Sequence, residues 1–174
     1  QAQFVSYYKK LKKKAGNIEP IYFGDSVHPQ HQTQLVYGWI PKGIRKEIAT
    51  TPYQKRLNFI GGICLNGHRF TYHQATTVNA ETICDFLWKL RKNNPGKFIV
   101  HLIWDNAKYH RNDQVTEFAK ELGIKLHYLP PYSPNLNPIE RVWKLMHESV
   151  RYNQYYGKFS EFSDATLEFF KSIG

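Results

Sequence analysis

The sequence predicts an α/β fold, a mixed β-sheet with helices on its faces. Three observations carry this. Two strand-like runs over 57–77 are joined by Asn66-Gly67, a dipeptide that favours the type I′ turn of a two-residue hairpin. A continuous apolar run, KFIVHLIWD at 97–105, fits a strand covered on both faces. Around that run, strand-like segments alternate with segments whose apolar residues recur at helical spacing, the pattern of a sheet flanked by helices.

In chain order, Phe4, Tyr7, Tyr8 and Leu11 follow the i, i+3, i+4, i+7 rule of an N-terminal helix, which runs into the basic stretch Lys9 to Lys14 and Gly16. PIYFGD at 20–25 is a short apolar strand ending on an acid. Residues 26–56 show no clear periodicity, apart from a short strand expected near 44–50. Loops of this length inside a domain are often functional. Trp39 is read as its anchor in the core, with stacking on a displaced base as the alternative; Lys42, Arg45, Lys46, Lys55 and Arg56 are its cations.

After the hairpin, Asn79 caps a helix that puts Ile83, Phe86, Leu87 and Leu90 on one face and stops at Asn93-Asn94-Pro95-Gly96. A second helix, Asp113 to Leu122, ends at Gly123. IKLHYLPPYSP at 124–134 is a strand entering a proline-rich turn. Pro138 then suits the first turn of a helix with Ile139, Val142, Trp143, Met146 and Val150 inward. A last helix, roughly 160–173, carries Phe162, Ala165, Thr166, Phe169, Phe170 and Ile173 at the same spacing. No internal repeat is present.

The 174 residues suit one domain, divided as an N-terminal helix and basic linker at 1–18 and the main folded body at 19–174. A hydrophobic content of 41% excludes a disordered chain, and a net charge of +10 points to a polyanionic partner, most simply nucleic acid. Cys64 and Cys84 lack finger spacing, which argues against structural zinc; both read as buried thiols of a reducing compartment. No apolar run is long enough to span a bilayer and no signal-peptide pattern opens the chain. The expectation is a soluble, intracellular protein with no membrane partner. The chain opens on Gln1 rather than Met, as a fragment would.

Two predicted strands end on acids, Asp25 and Asp105. Acids are depleted within strands, and ligands of open α/β sheets bind beyond the carboxyl ends of parallel strands. If these strands are parallel neighbours, about 4.8 Å apart, their carboxylates can share a hard divalent cation such as Mg²⁺. Glu140 opens the helix after PPYSPNLNP. It lies about 100° around from Ile139, at the boundary of core and solvent; a simple first-turn role against the helix dipole is its alternative. His28 and His110 lie near the aspartates, as partners of the acids, phosphate contacts or structural histidines. Asn106 either orients Asp105 or caps the next segment. Lys108, Arg111 and Arg141 flank the acids and could hold phosphates.

These residues resemble a known family. FGDSVHPQHQT (23–33), GWIPKG (38–43), WDNAKYH (104–110) and LPPYSPNLNPIERVWKLMH (129–147) are similar to the DDE domain of mariner-like transposases, closest to the bacterial insertion-sequence branch. Thirty-four residues separate Asp105 from Glu140, a spacing typical of that superfamily. The resemblance implies an RNase H-like fold, with a five-stranded mixed sheet flanked by helices. It implies a triad of Asp25, Asp105 and Glu140 that serves both as catalytic centre and as ligands of two Mg²⁺ (or Mn²⁺) ions. The implied activity is DNA nicking at transposon ends and strand transfer into target DNA, at TA sites, by two-metal phosphoryl transfer in a homodimer. The resemblance also implies a cytoplasmic, DNA-associated protein. The family's N-terminal helix-turn-helix finds no counterpart in 1–18. Two rivals stand beside this reading. An RNase H-type nuclease would draw a further acid from Glu81 or Asp85. A non-catalytic DNA-binding module would lack a triad acid, and all three are present.

Overall fold

In the computed structural model, which describes residues 1–51, 55–67, 69–96 and 98–173, five strands form one mixed sheet. They are β1 (Ile21–Val27), β2 (Asn58–Cys64), β3 (Arg69–Ala75), β4 (Val100–Trp104) and β5 (Ile124–Tyr128), in the order β3-β2-β1-β4-β5. The β1–β2 and β2–β3 pairs are antiparallel; β1–β4 and β4–β5 are parallel. Five helices cover the sheet: α1 (Ala2–Ala15), α2 (Ala80–Lys92), α3 (Asp113–Glu121), α4 (Ile139–Met146) and α5 (Phe159–Ser172). Of the segments that prompted the fold class, Lys97 and His68 lie outside the described residues. Among the described residues no helix is long and apolar enough to cross a membrane.

The period-2 alternation of the strands sorts the core into two layers. Tyr22, Ile60, Leu102 and Trp104 point to one face, where α2 and α3 lay down Ile83, Phe86, Leu87, Leu90, Val115 and Ala119. Ile21, Phe23 and Ile103 point to the other, where Leu11 and Ala15 of α1 cover them. Further along that second face, Phe59 and Phe70 pack against Ile139, Val142, Trp143 and Met146 of α4 and Phe162 and Phe170 of α5. The N-terminal helix is thus part of the packed body. Helix α2 starts as its sequence predicts: the Asn79 side chain accepts from Thr82 N–H and the Thr82 hydroxyl accepts from Asn79 N–H. Gly123, at φ 66°, ends α3.

Several expectations are corrected. Strand β1 does not stop at Asp25 but continues to Val27, because β2 keeps pairing with it after β4 has diverged. No strand forms at 44–50; among the described residues the segment between β1 and β2 makes only the isolated bridges Gln30–Arg56 and Gln34–Tyr152, so 44–50 has no edge to pair with. Trp39 does not anchor the loop: it is fully exposed, within a stretch exposed from 37 to 47. The anchor is His31 at the base, stacked on Phe162 at 5.6 Å and donating through Nε2–H to the Tyr156 carbonyl at 3.0 Å. Gly67 does not take a left-handed φ, so the hairpin turn is not type I′; residues 65–67 are solvent-exposed and no core contact dictates their geometry. Cys64 is buried, but Cys84 is only half-buried on α2.

A polar chain crosses the layer beneath α1. Tyr7 O–H donates to His127 Nδ1 at 2.6 Å, His127 Nε2–H to His101 Nδ1 at 2.9 Å, and His101 Nε2–H to Glu19 at 2.9 Å. With Glu19 as an acceptor, one direction of donation satisfies every nitrogen with both histidines neutral. Burial, then the neighbouring His101 and Lys125, push His127 down to about 4. The unfolded chain therefore takes up a proton on this residue below pH ~6.5 that the folded chain refuses until about pH 4. The stability is complete above that range and declines across it as pH falls, by roughly 3 kcal/mol at ~1.36 kcal/mol per unit. Denaturation midpoints measured from pH 7 to pH 4 should fall more steeply in the native chain than in His127→Gln, although the variant starts lower at pH 7.

Candidate active site

The register of β1 on β4 pairs Ile21 with His101, Tyr22 with Leu102 and Phe23 with Ile103. Continued two residues, it sets Asp25 opposite Asp105, just where the two strands part. Both acids fall in phase with the residues under α1 and α4: Asp25 follows Ile21 and Phe23, and Asp105 follows His101 and Ile103. Glu140 stands in the first turn of α4 on that same face. Asp25, Asp105 and Glu140 together line a cleft of about 380 Å³, closed on its other side by the 129–134 turn.

Each acid is held differently. Asp25 sits opposite Gly61 of β2, and Trp143 lies over that glycine and donates Nε1–H to Asp25 Oδ2 at 3.1 Å. A Cβ on Gly61 would come within 2.5 Å of the Trp143 ring. Asp105 Oδ1 accepts from the Ala107 backbone at 3.0 Å and from His110 Nδ1–H at 2.7 Å. His110 is buried and stacked on Trp104 with 3.9 Å between ring centroids, so its donor direction is fixed. Glu140 projects into the cleft from a helix start that Asn137 ties to β1, through a 3.1 Å bond from its side-chain amide to the Gly24 carbonyl.

The electrostatics reflect crowding. Burial, then the charges of Glu140 and Asp105, push Asp25 up to about 7 against the pull of the Ser26 and Trp143 N–H groups. Burial raises Glu140 as well. The His110 hydrogen bond holds Asp105 below its ordinary value. Among the described residues no cation pairs with Asp25 or Glu140. Nor is any group of three His, Cys, Asp or Glu side chains among them placed to hold a metal ion together; the three acids share the lining of one open cleft. Carboxylates that repel each other around a cleft, with no protein cation beside Asp25 or Glu140 among the described residues, have the oxygen-donor chemistry that a hard divalent cation takes.

The other predicted residues divide. His28 donates to Asn58 at 2.8 Å and faces a second cavity of about 400 Å³, which also touches Asp25 and Glu140 and carries Lys144 and His147. Asn106 neither orients Asp105 nor caps a helix: its amide donates to the Leu129 carbonyl and its oxygen accepts from Arg111, tying the end of β4 to the end of β5. Arg111 also lies over the Tyr128 ring at 4.6 Å. Lys108 and Arg141 are exposed at the rim, whereas Lys42, Arg45 and Lys46 lie on the exposed loop, with Arg45 3.4 Å from Glu47. Sequence reasoning missed Gly61, Asn137 and the polar role of Trp143. The Gly61-Gly62 pair inside a strand was the available signal, since glycine there marks a close approach.

Solved structures with this fold give its class. Mos1 transposase in a paired-end complex with the left transposon end superposes with a TM-score of 0.69 at 16% identity, covering 96% of this chain and 52% of that one. The catalytic domain of Mos1 mariner transposase gives 0.62 at 18% identity, over 94% and 75%. The HTLV-2 integrase catalytic core domain, solved with magnesium in a dimeric form, gives 0.58 at 11% identity, over 89% and 85%. The fold is therefore the RNase H-like fold of transposase and integrase catalytic domains. More particularly, the chain belongs to the DDE superfamily endonuclease family, which it matches over residues 20–163. An insertion element IS630 uncharacterized 39 kDa protein of Shigella sonnei is 21% identical over 135 residues, which are 77% of this chain and 39% of that protein. The chain thus spans well under half the length of that relative.

Two measurements follow from this geometry. Gly61→Ala should displace Trp143 and lower stability by about 1–3 kcal/mol, the usual effect of overpacking, seen as an earlier unfolding midpoint. Asp25→Asn should do the opposite without divalent cations. Because the folded protein raises Asp25 to about 7, this group's contribution is intact only below its unfolded value and is lost as pH rises through 7. At pH 8 the variant should be more stable by something on the order of 2 kcal/mol, discounting for partial exposure, and the gain should fade toward pH 4. Unchanged melting at pH 8 would contradict the crowding.

Proposed function

We propose that this chain is the catalytic domain of a transposase, which nicks DNA at transposon ends and joins the freed end to target DNA. The observation that carries the reading is the shared register of Asp25 and Asp105 on adjacent parallel strands, facing Glu140 across one cleft. In this reading Asp25, Asp105 and Glu140 would hold two Mg²⁺ or Mn²⁺ ions. The Mos1 paired-end complexes described with Mg and with Mn, and the integrase core with magnesium, support a divalent metal. Bound there, the cations supply Lewis acidity toward a phosphodiester and lower the pKa of an attacking water or 3′-hydroxyl.

The chain's own residues do the positioning. Trp143 bonds one oxygen of Asp25 and His110 one oxygen of Asp105, which orients each carboxylate. Asn137 keeps Glu140 at a fixed height above β1. Two cavities share Asp25 and Glu140 in their linings, which leaves room beside the acids for the groups that enter and leave in an in-line displacement. The scheme needs no protein nucleophile. The net charge of +10 and the exposed Lys42, Arg45 and Lys46 support double-stranded DNA, both transposon end and target, as partner. The exposed apolar Leu35, Trp39 and Ile40 on the same loop support a homodimer. The RNase H-type alternative loses support because neither Glu81 nor Asp85 lines the cleft; Asp85 lies instead 3.9 Å from His73 on the far side of β3.

Supercoiled plasmid incubated with the purified chain and Mg²⁺ or Mn²⁺ should be nicked. Asp25→Asn, Asp105→Asn and Glu140→Gln should each reduce nicking to background while retaining the fold and DNA binding. Cleavage persisting in Asp105→Asn would end the assignment.

A further inference from the structure

Tyr132, at the mouth of the cleft, makes no contact that accounts for its conformation. Tyr132 is 99% exposed and has φ 53°, the left-handed region that a bulky side chain avoids. Glycine or asparagine would take this conformation more readily. The turn therefore sustains two unfavourable features at one position: a strained backbone and an aromatic ring in water. Residues held this way cluster where the strain serves function.

The surroundings make the conformation rigid. Pro130, Pro131 and Pro134 fix φ on both sides, and Ser133 Oγ donates to the Pro131 carbonyl at 3.1 Å. The backbone at Tyr132 is thus held in place by its neighbours, while the ring itself stands in solvent with no packing partner. Tyr132 lines the same cleft as Asp25, Asp105 and Glu140. At about 380 Å³ that cleft is the size of a small-molecule pocket, room for a nucleotide and not for a duplex. A base that leaves its stack to bring its phosphate there exposes its π-face, and an aromatic ring is the surface that receives such a face irrespective of sequence.

We propose that Tyr132 is a stacking platform for a nucleobase of the DNA strand entering the cleft. This rests on the reading of the cleft as a DNA site. The ring would hold the base unpaired beside the acids, which makes Tyr132 a positioning residue for the scissile phosphate. It would favour frayed, nicked or overhanging DNA over intact duplex.

The test uses the whole chain and a duplex with a short single-stranded overhang carrying 2-aminopurine, whose fluorescence falls on stacking. Tyr132→Gly removes the ring and relieves the backbone. It should melt at or above the native temperature, bind the overhang roughly tenfold more weakly, and lose the quench. Tyr132→Phe should restore both, and binding of blunt duplex should be alike in all three proteins. Equal overhang binding and quenching in Tyr132→Gly overturns the proposal. A native chain that quenches the base yet never nicks DNA with Mg²⁺ or Mn²⁺ defeats the catalytic reading and leaves this one standing; nicking without quenching does the reverse.

Discussion

Repulsion among three carboxylates is the constraint around which this molecule is arranged. Bringing like charges together beside a hydrophobic core is unfavourable unless a proton or a cation relieves it. Asp25 registers the strain most, being pushed to about 7 by burial and by Glu140 and Asp105. A soft scaffold would let the acids drift apart. Here each is fixed by a different part of the chain: Asp25 by the middle strand and Trp143, Asp105 by its own 3-10 turn through His110, and Glu140 by the Asn137 tie to Gly24. The stability surrendered at the site is sustained by apolar layers on both faces of the sheet.

Trp143 shows how packing and chemistry are joined in one side chain. Its ring is buried in the layer under α4 and α5, edge-on to Phe70 and Phe170, while its single polar atom reaches the acid. The space it fills exists because Gly61 presents no side chain opposite Asp25. His110 repeats the device on the other strand, stacked on Trp104 and bonded to Asp105. In both cases a rigid aromatic ring converts core packing into the orientation of a carboxylate, which is decided before any ligand arrives.

Much of this was legible in the sequence, for physical reasons that also mark its limits. Helices α2, α3, α4 and α5 and the strand pattern are strongly periodic, and their buried faces are those the spacing predicts. Acids at the ends of apolar strands stand out because strands rarely carry them. Asp105 does follow the last residue of β4, but Asp25 lies inside β1, because a strand's end is set by its neighbours' pairing and not by its own composition. Trp39 reads as core on hydrophobicity alone, yet it stands fully exposed. Asn106 and Asn137 are equivalent in sequence, each a polar residue near an acid. Only the fold decides that one ties two strand ends together and the other ties a helix to a strand.

The proline-rich turn between β5 and α4 joins the placement of the acid to the shape of the cleft. It has to deliver Glu140 over the end of β1, and a flexible connection would leave that delivery to chance. Pro130, Pro131, Pro134 and Pro138 lower the conformational freedom of the unfolded turn as well as of the folded one, so ordering it costs less entropy. The same stiffness lets a left-handed Tyr132 persist beside the cleft. A proline array that began as a means of placing one carboxylate thereby fixes the rim of the cleft too. The position of the acid and the shape of its entrance are then set by a single segment, and neither can be altered there without disturbing the other.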